Sequence, residues 1–369
     1  MSLNIAVIAG DGIGPEVVGE ALSVLAAAAP ADGLNYQLTQ LPYGGEHYLK
    51  TGEVLTDEQA SNLKRFDAIF LGAVGSPDVK PGILEQGLLL KLRFDLDQYI
   101  NLRPVKLYEG VESPLKNKGA AEINFDVIRE NTEDLYTGAG GITRKGTKQE
   151  VATQEMLATR FGVERCLRYA FEFARNKKRA GLPGATGGRG LLTLVHKINV
   201  LTHCGDTWFR AFNEIGEADY KDIKREYHHV DACCMYMVLK PEVYDTIVVP
   251  NMFGDIITDL GAAVAGGMGI AASGNLNPDG TAPSMFEPVH GSAPDIAGQN
   301  KANPMAAIIS LGMLLRETGR IRAERAAVTC GQRIDKAARA VCLKFKGMNI
   351  DRLPYGTKEV AKMVIEALV

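Results

Sequence analysis

A chain of 369 residues with 46% hydrophobic and 23% charged residues is long enough to bury a large core and to form more than one lobe. Its net charge of -3, with Lys and Arg scattered along it, sets up no broad basic field, which argues against nucleic acid as a partner. The six cysteines, Cys166, Cys204, Cys233, Cys234, Cys330 and Cys342, form no Cys-x-x-Cys pair and no zinc spacing, so they read as reduced thiols in a cytoplasmic protein.

The first apolar run, residues 5–8, reads as a strand and is preceded by no basic segment of the kind that directs export. It runs into the turn Gly10-Asp11-Gly12-Ile13-Gly14-Pro15 and then a helical stretch over 17–28. The glycines are not spaced Gly-x-Gly-x-x-Gly, Pro15 suits a first helical turn, and no acid follows about twenty residues on after a second strand. This is a tight strand-to-helix turn rather than a Rossmann fingerprint. Further strands are expected at 68–71, 191–195 and 246–249, a helix at 158–175, and a surface turn at 181–190, where Pro183 and four later glycines gather. Such alternation predicts an α/β architecture. The Ala- and Gly-rich residues 261–274 are too short and too glycine-rich to span a bilayer, and no membrane partner is expected.

After the 246–249 strand comes Pro250-Asn251-Met252-Phe253-Gly254-Asp255-Ile256-Ile257-Thr258-Asp259. If a helix starts near Gly254, Asp255 and Asp259 stand on one face and repel unless a cation lies between them. A hard ion such as Mg2+ or Mn2+, or a partner Lys or Arg, would serve; a solvated helix face is the simpler account of the spacing alone. A second constellation follows in Glu287-Pro288-Val289-His290-Gly291-Ser292-Ala293-Pro294-Asp295-Ile296, with Asn303 beyond.

Together with the Gly10 turn these segments resemble the β-decarboxylating dehydrogenase family, which acts on isopropylmalate, isocitrate, homoisocitrate, tartrate and D-malate. The resemblance covers nearly the whole chain. It implies a two-lobed isopropylmalate/isocitrate dehydrogenase-like α/β fold, not a Rossmann fold, with residues 1–98 and 266–369 in the first lobe and 99–265 in the second. It also implies that NAD is bound through Glu287, His290, Gly291, Ser292, Ala293, Asp295, Ile296 and Asn303. Asp295 stands where NAD-dependent relatives set an acid against the adenosine ribose, and a carboxylate there repels a 2'-phosphate. NADP-dependent relatives carry Lys and Tyr at the places of Asp295 and Ile296.

Arg93, Arg103 and Arg129 match the family's carboxylate-holding arginines, a task suited to a permanently charged group with parallel donors. Tyr136 matches its proton-donating tyrosine and Lys197 the lysine that works in deprotonating the hydroxyl. Asp231 completes a metal-binding trio with Asp255 and Asp259 and also borders the substrate. In the family Asp231 and Lys197 reach the site from the second subunit, so a homodimer is implied. The implied reaction passes hydride from the substrate to NAD, releases CO2 and leaves a 2-oxo acid, which for isopropylmalate is the leucine precursor 4-methyl-2-oxopentanoate.

Substrate choice within the family falls on residues 82–93. Isocitrate enzymes carry Ser or Thr and Asn at the places of Gly87 and Leu89, so this chain lacks polar handles for a third carboxylate. Leu89 and Leu90 would instead gain roughly 1.5–3 kcal/mol by burying an aliphatic branch. D-malate and tartrate remain rivals, and leucines on a helix also serve as core. A catalytically silent regulatory homologue is the alternative from another class, but such chains usually lose a metal acid, the lysine or the tyrosine, and here Tyr136, Lys197, Asp231, Asp255 and Asp259 are all present.

Overall fold

The structure, a computed structural model, describes residues 2–180 and 188–368, so the turn expected at 181–190 lies mostly outside the described residues. In chain order the elements are β1 (Leu3–Gly10), α1 (Gly14–Asp32), β2 (Tyr36–Gln40), α2 (Gly45–Thr51), α3 (Asp57–Leu63), β3 (Ala68–Ala73), a π-helical turn (Glu85–Leu90), α4 (Lys91–Asp95), β4 (Ile100–Lys106) and β5 (Asn124–Glu130). A 3-10 turn (Asp134–Thr137) leads to β6 (Gly140–Thr143), β7 (Val151–Gln154), α5 (Arg160–Arg179), β8 (Leu191–His196), α6 (Cys204–Asp219), β9 (Lys224–His229) and α7 (Val230–Leu239). The remaining elements are β10 (Thr246–Val249), α8 (Asn251–Val264), β11 (Ala272–Leu276), β12 (Ser284–Pro288), α9 (Met305–Ile321), α10 (Arg325–Cys342) and α11 (Thr357–Glu366).

The chain divides into two compact units, residues 1–98, 102–120 and 262–369 in the first and 99–101 and 121–261 in the second. The expected division differs by counting 102–120, and the four residues 262–265, with the second. Contacts inside the first unit explain the difference. Gly110, at a φ of +94°, lies so close to the end of α10 that a Cβ would come within 2.3 Å of the Cys342 carbonyl oxygen. Nearby, Ser113 Oγ donates to the Val264 carbonyl at 2.6 Å.

In the first unit the strands run β2-β1-β3-β12-β11. All are parallel except β11, which is antiparallel to β12. Residues 5–8 and all of β3 are buried, which is why they read as unbroken apolar runs rather than alternating ones. In the second unit the order is β5-β10-β8-β9, all parallel. β6 and β7 pair as a separate, exposed antiparallel hairpin. On α5 the buried residues Val163, Cys166, Leu167, Ala170, Phe171 and Ala174 recur at helical spacing. The helix is tied down at its far end by Lys177, whose buried ammonium lies 2.8 Å from both Asp126 and Asp245.

Two helix starts differ from the expected ones. α5 begins at Arg160 because Thr159 Oγ1 caps it, accepting the Gly162 amide. α8 begins at Asn251, three residues ahead of Gly254, because a cap arrives from afar: Asp134 Oδ2 accepts the Met252 amide at 2.8 Å. Asp134 is buried at a φ of +70° and its other oxygen accepts the Leu135 amide, so the 3-10 turn and α8 share one carboxylate.

Candidate active site

In the second unit, the early start of α8 sets Asp255 and Asp259 one turn apart on the same helix face. Asp255 is about 39% exposed at its side chain and takes a donor on each oxygen: Arg129 Nη1 on Oδ1 at 2.5 Å and the Tyr136 hydroxyl on Oδ2 at 2.8 Å. Arg129, on β5, is only 1% exposed and also donates through Nε to the carbonyl and side-chain oxygens of Asn251. Its guanidinium lies over the Tyr136 ring, 5.2 Å from the centroid. Gly254 makes this approach possible, since a Cβ there would come within 2.5 Å of the Arg129 side chain. Arg129 Nη2 is buried and meets no acceptor among the described residues, a donor suited to a bound carboxylate. The cation that the aspartate spacing calls for is thus supplied, at Asp255, by Arg129. Asp259 is exposed.

Lys197 and Asp231 form a second cluster in the same unit. β8 ends at His196, so Lys197 stands at the strand's end, and its Nζ lies 2.7 Å from Asp231 Oδ1. Asp231 is in the first turn of α7, where the helix dipole favours an acid, and the Lys197 ammonium holds its carboxyl below the ordinary range. Sequence reasoning missed what surrounds this pair. His196 is fully buried, edge-on to Phe253, and its Nδ1 accepts the Lys197 amide at 2.8 Å. Tyr227 and His229 on β9 complete the neighbourhood, with the tyrosine hydroxyl 2.8 Å from His229 Nδ1.

Burial lowers the His196 pKa from 6.5 to about 4. A base lowered in this way contributes stability in full above pH 6.5 and loses it as pH falls toward 4. Glu130, a buried carboxyl raised to about 7 by desolvation, works in the opposite direction over pH 4.5–7. The His196 effect is therefore read as a difference between proteins. Relative to His196→Gln at equal concentration, the wild type should lose roughly 2 kcal/mol of stability between pH 7 and pH 5 in denaturant unfolding. Parallel curves for the two proteins would show that His196 does not titrate this way.

In the first unit, Arg93 and Arg103 are buried at 6% and 8% exposure. Arg93 Nη2 lies 3.6 Å from Glu287 Oε1, which also accepts the Asn275 side-chain amide at 2.8 Å. Gly87 lies against Val54, where a Cβ would approach to 2.9 Å. Leu88 belongs to the core with Leu92 and Leu96; Leu89 packs against that core half-buried, and Leu90 is half-buried beside them. All three leucines lie within the π-helical turn.

The loop after β12 is held by the opening turn of the chain. Asp11 Oδ1 and Oδ2 accept the amides of Gly45 and Gly75, and the Ile13 amide donates to Ser292 O at 2.8 Å. A Cβ on Gly12 would lie 1.9 Å from that same Ser292 oxygen. Glu16 accepts the Gly298 amide and the Thr357 hydroxyl. Within the loop Asp295 and Gly291 are exposed, while Ser292, Ala293 and Ile296 are half-buried. His290 Nδ1 is 3.0 Å from Gly291 O; Nε2 is buried with no partner among the described residues, and burial lowers the ring's pKa. Asn303 is committed to the fold, donating to Ile350 O and accepting the Met305 amide. Ser292 and Pro294 also line a cleft of about 230 Å³ with Gly75, Ser76, Lys80 and Leu84.

The family model described as isocitrate/isopropylmalate dehydrogenase matches residues 4–362. The chain is 53% identical over 318 residues to the 3-isopropylmalate dehydrogenase of Thermobifida fusca, covering 86% of this chain and 87% of that one. It is 50% identical over 371 residues to the 3-isopropylmalate dehydrogenase of Clavibacter michiganensis subsp. michiganensis, covering 100% and 98%. Among solved structures, isocitrate dehydrogenase from Methylococcus capsulatus superposes with a TM-score of 0.85 at 33% identity, covering 99% of both chains.

Proposed function

Because the chain belongs to the isocitrate/isopropylmalate dehydrogenase family, we propose that it oxidises and decarboxylates 3-isopropylmalate to 4-methyl-2-oxopentanoate, with NAD as hydride acceptor and Mg2+ or Mn2+ as its metal. The observation that carries the substrate choice is the contact of Gly87 with Val54: a Ser or Thr that could hold isocitrate's extra carboxylate has no room there unless Val54 moves. Leu89 and Leu90 add apolar surface rather than donors. The two relatives at 50% and 53% identity support the same substrate.

In this reading Arg93, Arg103 and Arg129 hold the two carboxylates, and Asp255, Asp259 and the second subunit's copy of Asp231 hold the metal. Their hard oxygen donors fit Mg2+ or Mn2+. Among the described residues of one chain no group of three acids, histidines or cysteines is gathered closely enough to hold an ion, and in this reading dimerisation completes the trio. The loop from His290 to Ile296 and the cleft beside Ser292 suit NAD. When bound, the ion supplies Lewis acidity toward the substrate's hydroxyl and ketone oxygens, and NAD accepts the hydride.

Lys197 takes the hydroxyl proton at Nζ, once that amine has passed its own proton to solvent water. Arg129 orients a substrate carboxylate while Asp255 holds the guanidinium in place. After CO2 leaves, the Tyr136 hydroxyl delivers a proton to the carbon that lost it. The enzyme would act in the cytoplasm as a homodimer, and among the described residues no helix is long and apolar enough to cross a membrane.

NAD reduction measured with 3-isopropylmalate, D-malate, tartrate and isocitrate side by side tests the reading. Isopropylmalate should give the highest kcat/KM, and replacing Leu89 and Leu90 with polar residues should harm its turnover more than that of unbranched malate. A preference for D-malate or tartrate would move the assignment to those branches of the family.

A further inference from the structure

Tyr227 is a residue to which neither the family motifs nor the sequence patterns attach a role. It lies on β9, which runs parallel to β8 with Leu194 opposite Tyr227 and His196 opposite His229. Its side chain shares a strand face with His229, and its ring stands edge-on to His229 at 5.2 Å and to Phe209 at 5.6 Å. The hydroxyl has three partners. It accepts the Ile198 amide at 3.2 Å, lies 3.3 Å from the His196 carbonyl and is 2.8 Å from His229 Nδ1.

A phenol has one proton to give and two lone pairs. The amide of Ile198 can only donate and the carbonyl of His196 can only accept. The third position meets His229 Nδ1, a bond that forms whichever of the two groups carries the proton. Counted this way, every hydrogen-bonding position on the oxygen has a partner within reach. Such a fully occupied oxygen resists displacement, because losing any one bond leaves a donor or acceptor unmet.

The partners of this oxygen are the groups on either side of Lys197. His196 O precedes it and Ile198 N follows it, while His229 is the residue just before the first turn of the helix that carries Asp231. The His196 ring adds a further hold by accepting the Lys197 amide. We infer that Tyr227 is a positioning residue: its hydroxyl brackets the backbone around Lys197 and links it through His229 to the start of α7, so that the amine is carried to the reacting hydroxyl on a rigid support. This rests on the role given to Lys197 above. A side chain at the end of a strand, followed by residues without strand pairing, would otherwise sample several placements, and an error near 1 Å costs a catalytic group about 100-fold in rate.

The experiment is Tyr227→Phe, which keeps the ring against Phe209 and removes only the oxygen. The expected result is a kcat lower by about 10- to 100-fold, with KM for 3-isopropylmalate and for NAD changed by less than about 3-fold. In a Lys197→Ala background the same change should cost nothing further, since the group it positions is gone. A crystal structure of Tyr227→Phe should show the 196–198 backbone displaced, a readout independent of turnover. An unchanged kcat in Tyr227→Phe, with Lys197→Ala inactive, would overturn the bracket while leaving Lys197 in its role. So would an equal loss in both backgrounds, or a backbone unmoved in the crystal. Full activity in Lys197→Ala would overturn the role of the lysine itself and this inference with it, and that outcome is visible in the single variant alone.

Discussion

Heterodimers assembled from Lys197→Ala and Asp255→Asn chains should recover about half of the wild-type turnover, although each parent homodimer is nearly inactive. The expectation comes from the two clusters of the second unit. One holds Arg129, Tyr136 and Asp255; the other holds Lys197 and Asp231 as a 2.7 Å ion pair. If a complete site takes the first cluster from one subunit and the second from its partner, each parent homodimer has two defective sites. In the heterodimer one site collects both substitutions and the other collects neither. Loss of the lysine should cost about 100- to 10,000-fold, the usual span for a general base. Asp255→Asn removes the charge that faces Arg129 and, in the proposed site, would remove a ligand of the metal, so a comparable loss is expected. Verified heterodimers as inactive as their parents would show that each site is built within one chain, or that Lys197 is wrongly assigned.

A second large effect is expected in the choice of cofactor. The exposed Asp295 carboxylate would face the 2'-position of the adenosine ribose, accepting a hydrogen bond from a hydroxyl and repelling a phosphate. Like charges set together cost several kcal/mol, so NAD should exceed NADP in kcat/KM by at least about 100-fold. Asp295→Lys combined with Ile296→Tyr exchanges the repulsive group for an attractive one and should erode most of that margin. Comparable use of both cofactors by the unmodified protein would remove Asp295 from this role.

What the sequence discloses and what it hides divide along chain separation. The strands at 5–8, 68–71, 191–195 and 246–249 are legible because burial on both faces leaves unbroken apolar runs, a local signal. The helix bearing Asp255 and Asp259 is suggested by the four-residue spacing of its acids, but its start is not. The cap on Met252 comes from Asp134, 118 residues earlier, and no local pattern announces it. Tyr227 is hidden likewise: its partners at the end of β8 and just beyond it, His196 and Ile198, lie about thirty residues away, and their meeting depends on the β8–β9 register. The affiliation of residues 102–120 rests on contacts such as Gly110 with Cys342, over 200 positions apart. Asn303, a motif position expected at the cofactor, also bonds within the fold through each end of its amide, to partners as far as Ile350.

The loop that would carry NAD is fastened at two places, by the Ile13 amide at Ser292 and by Glu16 at Gly298. Between these fasteners lie residues 293–297, whose side chains take no share in either bond. The segment is in effect an exchangeable cassette. Its length is set by the distance between two fixed points on the opening turn and the first helix, whereas its composition is open except at Ala293, where a φ of +38° favours Gly or Asn. Substitutions inside it can retune which nucleotide is welcome without a strain that propagates into the sheet. An insertion has either to bulge between the two anchors or to release one of them, the Ile13 bond to Ser292 or the Glu16 bond to Gly298.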